Sequence, residues 1–139
     1  MMQTGIAPAP ECAEEFNALR MKRTYRYLIF AANEDKTNFV ITSKGEREKT
    51  FDDFKEDMPK DEPRFAVFDL EWKTEDGRLD SKIVFVHYCP DICDTRVKFT
   101  YTASKDSFKK CVQPNHKEAQ VNDWADLDLD RFIGYFKHC

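Results

Sequence analysis

Three residues that could hold a metal ion or perform thiol chemistry lie close together in the second half of the chain. His87 and Cys89 are two residues apart at the end of a predicted strand, hence on one face of it, and Cys93 lies one turn into the helix predicted to follow. A closed zinc site needs a fourth ligand, and a thiol enzyme needs a Cys–His pair with an orienting third group. No motif supplies either, so we expect buried or half-buried thiols, no metal, no cofactor and no catalytic residues. A thiol or metal protein using His87 and Cys89 is the remote alternative.

A second candidate is a row of basic residues on a long helix predicted over residues 90–111. At about 100° per residue, Lys98, Lys105 and Lys109 fall nearly on one line. An exposed Tyr101 is expected beside this row. The residues predicted to pack on a sheet from the opposite side are Ile92, Phe99, Ala103 and Cys111.

The lysine row has two readings. Charged outer faces are usual for helices of globular proteins, so the lysines alone do not distinguish a binding surface from an ordinary solvated one. A local positive surface also attracts anionic lipid headgroups. The residues expected to hold a phosphoinositide in that case are Lys98, Lys105, Lys109 and Lys110.

The composition indicates one globular domain and argues against nucleic-acid binding. The 139 residues carry 22 Lys+Arg against 26 Asp+Glu, a net charge of −4, whereas a nucleic-acid-binding domain is usually strongly basic. Twelve Phe and a hydrophobic fraction of 41% provide a core. The five cysteines have no framework spacing, no signal-peptide pattern is visible and no apolar run is long enough to span a bilayer. We therefore expect an intracellular monomer with reduced thiols.

Alternating strands and helices must position these residues. Aromatic and branched residues predict strands over 25–31, 39–42, 64–72, 82–88 and 118–121. Helices are predicted from residue 9 or 11 to 21, and over 50–58, 90–111 and 126–136. The expected fold class is α/β (mixed): one domain over residues 1–139, with a central mixed sheet of five or six strands between helices and a flexible arm over residues 1–8.

Motifs along nearly the whole chain resemble those of the ADF/cofilin family. On the long helix they are Pro90-Asp91, Arg96, Lys98 and Tyr101-Thr-Ala-Ser-Lys105-Asp106; elsewhere they are Lys22-Arg23, Tyr25-Arg26-Tyr27-Leu28-Ile29-Phe30, Phe51-Asp-Asp-Phe54, Arg64-Phe-Ala-Val-Phe-Asp69 and Ser81-Lys82-Ile83-Val84-Phe85. The resemblance implies the family's ADF-homology fold. It also implies a cytoplasmic, non-enzymatic protein of the actin cytoskeleton that binds actin monomers and filaments and promotes severing and depolymerisation. A phosphoinositide-binding adaptor without actin activity is the alternative.

The resemblance further implies two actin-contacting surfaces. The monomer-binding surface comprises Thr4, Gly5 and Ile6 of the arm, Arg96, Lys98 and Phe99 of the long helix, and the acidic pair Asp123 and Asp126. Phe99 stands where the family usually has Met. The filament-binding surface comprises Asp80, Lys82, Arg131, Gly134, Tyr135 and His138.

The filament-binding surface matches the family less well than the monomer-binding surface does. Asp80 stands where members often have a basic residue, and Gly134 and Tyr135 stand where they often have charged ones. Reversing a charge against an acidic filament weakens association, so we expect weakened filament decoration and severing with monomer binding retained. Thr4, immediately before Gly5, occupies the place of the family's regulatory phosphosite, where a phosphate would add about −1.5 to −2 charge.

Overall fold

The computed structural model describes residues 6–115 and 117–137, along which strands and helices alternate. The strands are β1 (Ala7–Pro8), β2 (Tyr25–Ala32), β3 (Asn38–Glu46), β4 (Arg64–Lys73), β5 (Leu79–Tyr88) and β6 (Lys117–Val121). The α-helices are α1 (Pro10–Asn17), α2 (Phe51–Asp57), α3 (Thr95–Lys109) and α4 (Leu129–Lys137). A π-helical turn (Ala18–Lys22) follows α1, and short 3₁₀ turns (Lys110–Val112 and Trp124–Asp126) follow α3 and precede α4.

The strands form one mixed sheet in the order β1-β3-β2-β4-β5-β6, which confirms the predicted class. The pairs β2–β3, β2–β4 and β4–β5 are antiparallel, whereas β1–β3 and β5–β6 are parallel. Since parallel neighbours need a crossover connection, α3 joins β5 to β6 across one face of the sheet. Of the arm expected over residues 1–8, the described part includes β1, in which Ala7 pairs with Asn38 and Pro8 with Phe39.

Both faces of the sheet are covered, so its central strands are buried on each side. In β4 the residues from Phe65 to Leu70 are all buried, including the charged Asp69. One apolar cluster joins the sheet to α2 and α4 through side chains such as Phe54 and Phe132, and the other joins it to α1 and α3 through Phe16 and Phe108. The predicted arrangement of a sheet between helices is therefore confirmed.

Two predicted helix starts are wrong by several residues. The long helix begins at Thr95 and not at residue 90, because the chain first turns away from β5: the Cys93 N–H donates to the Pro90 carbonyl at 3.1 Å. Asp94 then caps the helix by accepting the Arg96 N–H at 2.8 Å. Similarly, α4 begins at Leu129, after a 3₁₀ turn that occupies part of the predicted helix.

A cluster of ion pairs lies at one end of the sheet, around Asp69 and Glu71 of β4. The Asp69 carboxylate accepts from Arg47 at 2.7 Å and from Arg23 at 3.3 Å. Glu71, two residues further, accepts from Arg26 and from Arg47. Burial alone would raise the pKa of Glu71, but hydrogen bonding and charge from Arg26, with the charges of Arg47 and Arg23, hold it below its ordinary value. This cluster supports the scaffold at the end of the sheet where β4 turns into β5.

No helix among the described residues is long and apolar enough to cross a membrane.

Candidate functional site

The long helix α3 turns a different face to the sheet from the one that the sequence predicts. Its inward residues are Val97, Tyr101, Ser104 and Phe108, whose three- and four-residue spacing forms the usual packing stripe of a helix. Tyr101, predicted to be exposed, is 2% exposed, and its hydroxyl oxygen accepts the Ala32 N–H at 2.8 Å. Burial raises the pKa of Tyr101.

The residues predicted to pack on the sheet are mostly on the outside of the protein. Phe99 is 59% exposed and Ala103 is exposed, so both predictions are wrong. Ile92 is 76% exposed because it lies in the turn before the helix. Cys111 alone of this set is half-buried against the core. Because Tyr101 was predicted to be exposed, the residues predicted to pack on the sheet lay on the wrong side of α3.

Phe99 therefore presents a large apolar ring to solvent, with basic residues beside it in sequence. Arg96 is exposed one turn earlier, and Lys98 is half-buried. The Lys98 Nζ donates to the Asp91 carbonyl at 2.8 Å, which ties the lysine to the turn preceding the helix. An exposed aromatic ring flanked by cations is suited to a protein–protein contact in which the ring is buried and the cations meet an acidic partner.

The arm lies along the same helix. The Ile6 N–H donates to the Ser104 Oγ at 2.9 Å, and the Ser104 hydroxyl donates to the Thr100 carbonyl at 2.6 Å. The sequence offers no indication of this contact, since Ile6 and Ser104 lie 98 positions apart. Thr4 and Gly5 fall outside the described residues.

The acidic pair lies near the turn that precedes α3. The Asp91 N–H donates to the Asn122 carbonyl at 3.0 Å, so Asp123, the next residue, follows a segment held against that turn. Asp123 itself caps the 3₁₀ turn by accepting the Ala125 N–H at 3.1 Å. Asp126 is half-exposed and pairs with Arg131 at 3.5 Å. The arm is thus hydrogen-bonded to α3, and Asn122, the residue before Asp123, is hydrogen-bonded to the turn that precedes α3.

The lysine row is partly neutralised within the protein. Lys105 and Lys109 both donate to the Glu118 carboxylate, at 2.9 and 2.5 Å, and both are half-buried. Burial alone would raise the pKa of Glu118, but these two hydrogen bonds hold it below its ordinary value. Lys110 is exposed. One carboxylate against two ammonium groups leaves a smaller positive field than the four lysines of the sequence suggest.

The residues assigned to a filament-binding surface lie on β5 and on α4. Asp80 is half-buried, pairs across the sheet with Trp72, and accepts the Ser81 N–H at 2.9 Å. Trp72 stacks on Phe136 of α4, with ring centroids 5.5 Å apart. The structure thereby connects the Asp80 segment of the sheet to the helix that carries the remaining residues.

On α4, the aromatic side chains make ring contacts within the protein. Tyr135 stacks on the buried Phe132 with centroids 5.7 Å apart, and Lys117 lies over its ring at 5.5 Å. Arg131 and Gly134 are exposed, and Lys82 on β5 is half-buried. His138 falls outside the described residues.

The His87, Cys89 and Cys93 group shows no metal geometry. Within residues 6–115 and 117–137, no cluster of three or more His, Cys, Asp or Glu side chains is arranged to hold a metal ion. His87 is 3% exposed and packs beside Phe65, and burial followed by the nearby Lys105 lowers its pKa. Cys89 is buried and Cys93 half-buried, as predicted, and both thiols are free.

Comparisons with known proteins agree with the motif resemblance. The family model described as cofilin/tropomyosin-type actin-binding protein matches residues 5–136. The chain is 38% identical over 131 residues to actin-depolymerizing factor 8 of Arabidopsis thaliana, covering 94% of each sequence. It is 35% identical over 133 residues to actophorin of Entamoeba histolytica, covering 96% of each. The structure of Streptomyces griseoflavus cofilin superposes with a TM-score of 0.85 at 28% identity, over 94% of this chain and 96% of that one.

Proposed function

The chain belongs to the cofilin/tropomyosin-type family of actin-binding proteins, and on this basis we propose that it binds actin monomers and filaments and promotes filament depolymerisation. The relatives that it matches over nearly its whole length include proteins named actin-depolymerizing factors. The family is described as one of actin-binding proteins, and in line with this the chain is proposed to act at the actin cytoskeleton without enzymatic activity. A single observation on this chain supports the proposal most: the exposed ring of Phe99 on the outer face of α3.

We propose that actin monomers contact the surface made by Thr4, Gly5, Ile6, Arg96, Lys98, Phe99, Asp123 and Asp126. Burying a large exposed ring supplies the apolar centre that protein interfaces need. Arg96 adds charge complementarity to an acidic partner, which accelerates association more than it adds affinity. Lys98 is already held by the Asp91 carbonyl, so less side-chain entropy is lost when a partner arrives.

The direct test is replacement of the exposed ring. Phe99→Ala is expected to weaken binding to labelled actin monomers about tenfold, because truncating a central anchor of an interface costs roughly 1–2 kcal/mol. Met21→Ala is the matched control, since Met21 is 68% exposed but lies beyond α1, on another part of the surface. Equal losses in the two variants, or no loss in Phe99→Ala, would remove α3 from the interface. If the unmodified chain neither binds monomers nor accelerates pyrene-actin depolymerisation, the proposed function itself is wrong.

Phosphorylation of Thr4 is proposed as a negative signal for this surface. The described part of the arm is hydrogen-bonded to Ser104, so a phosphate two residues before Ile6 would bring negative charge next to a surface that recognises an acidic partner. Thr4→Glu is expected to weaken monomer binding and Thr4→Ser to leave it unchanged. Identical affinities for both variants would contradict this role.

We also propose that phosphoinositide headgroups bind α3 and compete with actin for it. Lys98 and Lys110 would contribute most, since Lys105 and Lys109 share Glu118. Sedimentation with vesicles containing phosphatidylinositol bisphosphate should fall when Lys110 is changed to Glu. Equal binding of the unmodified chain to neutral vesicles and to vesicles containing phosphatidylinositol bisphosphate would refute phosphoinositide binding.

A further inference from the structure

A tryptophan lies between the two acidic residues of the proposed monomer-binding surface. Asp123 and Asp126 are exposed, whereas the Trp124 ring is half-buried and packs against the apolar cluster that joins the sheet to α2 and α4. The Trp124 Nε1–H donates to the Lys55 carbonyl of α2 at 3.0 Å, across 69 positions of the sequence. The indole thus attaches residues 123–126, which we call the acidic turn, to α2.

Two lysine ammonium groups lie over the same ring. The Lys55 Nζ is 4.4 Å and the Lys60 Nζ is 4.5 Å from the centroid of the Trp124 ring. A cation within about 6 Å of a ring centroid is attracted to the face of the ring, and tryptophan attracts cations more strongly than tyrosine or phenylalanine does. Lys55 therefore contacts the indole at two points, through its carbonyl oxygen and through its ammonium group.

The backbone of the acidic turn keeps both carboxylates close to the tryptophan. The Asp126 N–H donates to the Asp123 carbonyl at 2.9 Å, and the Leu127 N–H donates to the Trp124 carbonyl at 3.2 Å. The Asp123 carboxylate accepts the Ala125 N–H at 3.1 Å. Because these hydrogen bonds connect neighbouring residues, a shift of the indole would move both acids with it.

The acidic turn is held from two sides. Before it, the Asn122 carbonyl accepts the N–H of Asp91, in the segment that leads into α3. Within it, Trp124 is hydrogen-bonded to α2. These contacts set the position of the two carboxylates relative to α3, on which Phe99 is exposed. Groups that are already in place when a partner arrives lose less conformational entropy on binding.

We propose that Trp124 is a positioning residue of the actin-monomer surface: its indole holds Asp123 and Asp126 in place to meet basic groups of the monomer. This inference rests on the proposed function. Charge complementarity across an interface fixes the orientation of the partners, which requires that the charged groups be correctly placed. Without the indole N–H the turn loses its hydrogen bond to α2, and the two carboxylates must be ordered during binding. Monomer affinity then falls although both acids are present.

The first test replaces the indole with a ring that lacks the N–H. Trp124→Phe should weaken binding to labelled actin monomers about threefold to fivefold. Its free energy of unfolding in urea should change little, because the Lys55 carbonyl also accepts the Met58 N–H at 3.2 Å and keeps a partner. Trp72→Phe, at the other of the chain's two tryptophans, is the matched control. Its ring stacks on Phe136, and its monomer affinity should stay within about twofold of the unmodified chain.

A second measurement separates positioning from general stabilisation. Asp123→Asn combined with Asp126→Asn removes both charges and keeps a capping oxygen at position 123. In the otherwise unmodified chain this pair of substitutions should weaken monomer binding about tenfold. In Trp124→Phe the same pair should weaken it only about threefold, because carboxylates that are already misplaced contribute less. Equal losses in the two backgrounds, or no loss in either, would overturn the inference.

The outcomes distinguish this inference from the function on which it rests. If the unmodified chain binds monomers and Trp124→Phe binds them equally well, or if Trp72→Phe loses as much affinity as Trp124→Phe, the positioning role is wrong and the proposed function stands. If the unmodified chain does not bind actin, both are refuted.

Discussion

The surface around α3 and the surface around β5 and α4 differ in what they present to solvent. On α3, Phe99 is exposed, while Tyr101 and Phe108 below it are buried and hold the helix to the sheet. On the other surface, Tyr135 packs on Phe132, and Asp80 places a negative charge on the sheet edge. The first surface has an apolar anchor with cations nearby. The second has aromatic rings engaged in internal contacts and an acid where the family often has a base. On this contrast we base the proposal that monomer binding is retained while filament decoration is weakened.

The largest expected effect concerns the ion pairs of Asp69, in the sheet that both surfaces share. Asp69→Ala leaves Arg23 and Arg47 without their buried partner and is expected to lower the free energy of unfolding by about 3 kcal/mol. Urea denaturation measures this loss. Asp76→Ala is the matched control, because its ion pair with Arg78 is exposed on both sides and such pairs contribute about 0–1 kcal/mol. If Asp69→Ala and Asp76→Ala lower the free energy of unfolding equally, the ion pairs of Asp69 contribute no more to stability than an exposed ion pair does.

A smaller effect is expected beneath α3. Tyr101→Phe keeps the ring but leaves the buried Ala32 N–H without its acceptor at that position, which should cost about 1–2 kcal/mol of unfolding free energy. Monomer affinity should change little, since Phe99 stays on the opposite side of the helix. Tyr88→Phe is the control, because within residues 6–115 and 117–137 the buried Tyr88 hydroxyl has no hydrogen-bond partner. A large loss of actin affinity in Tyr101→Phe without a stability change would contradict the separation of packing face and binding face.

The smallest expected effect lies at Asp80. Asp80→Arg should increase cosedimentation with filaments about threefold to fivefold, because it replaces a like charge with an opposite one against an acidic filament. Asp35→Arg makes the same change in charge on the exposed turn between β2 and β3 and should leave cosedimentation unchanged. If both variants gain equally, general charge and not the β5–α4 surface controls filament binding.

The sequence predicts most of the fold because each strand carries a dense run of aromatic and branched residues. Burial on both faces of β4 leaves a nearly continuous apolar run, which is a strong strand signal. The rotation of α3 was mispredicted because Tyr101 and Ser104 have polar groups, and their partners Ala32 and Ile6 are distant in sequence. A polar residue on a packing stripe becomes interpretable only when its partner is known.

The α3 part of the candidate site could be predicted from the sequence, whereas the scaffold around Asp69 could not. Motifs on one helix predict the site residues Arg96, Lys98 and Phe99. In the structure Arg96 and Phe99 are exposed and Lys98 is hydrogen-bonded to the preceding turn, which agrees with a contact surface. The role of Asp69 could not be predicted, because an Asp within a strand is equally consistent with a solvent-facing position. Only folding brings Arg23 and Arg47 to it from segments 46 and 22 residues away.

The measurement that tests the two-surface account most directly is a paired titration of the unmodified chain, Phe99→Ala and Asp80→Arg against labelled monomers and against sedimented filaments. We expect Phe99→Ala to lose monomer affinity about tenfold. We expect Asp80→Arg to gain filament binding while its monomer affinity stays within about twofold of the unmodified chain. A result in which Asp80→Arg changes monomer affinity as much as filament binding, or Phe99→Ala leaves monomer affinity intact, would contradict the account.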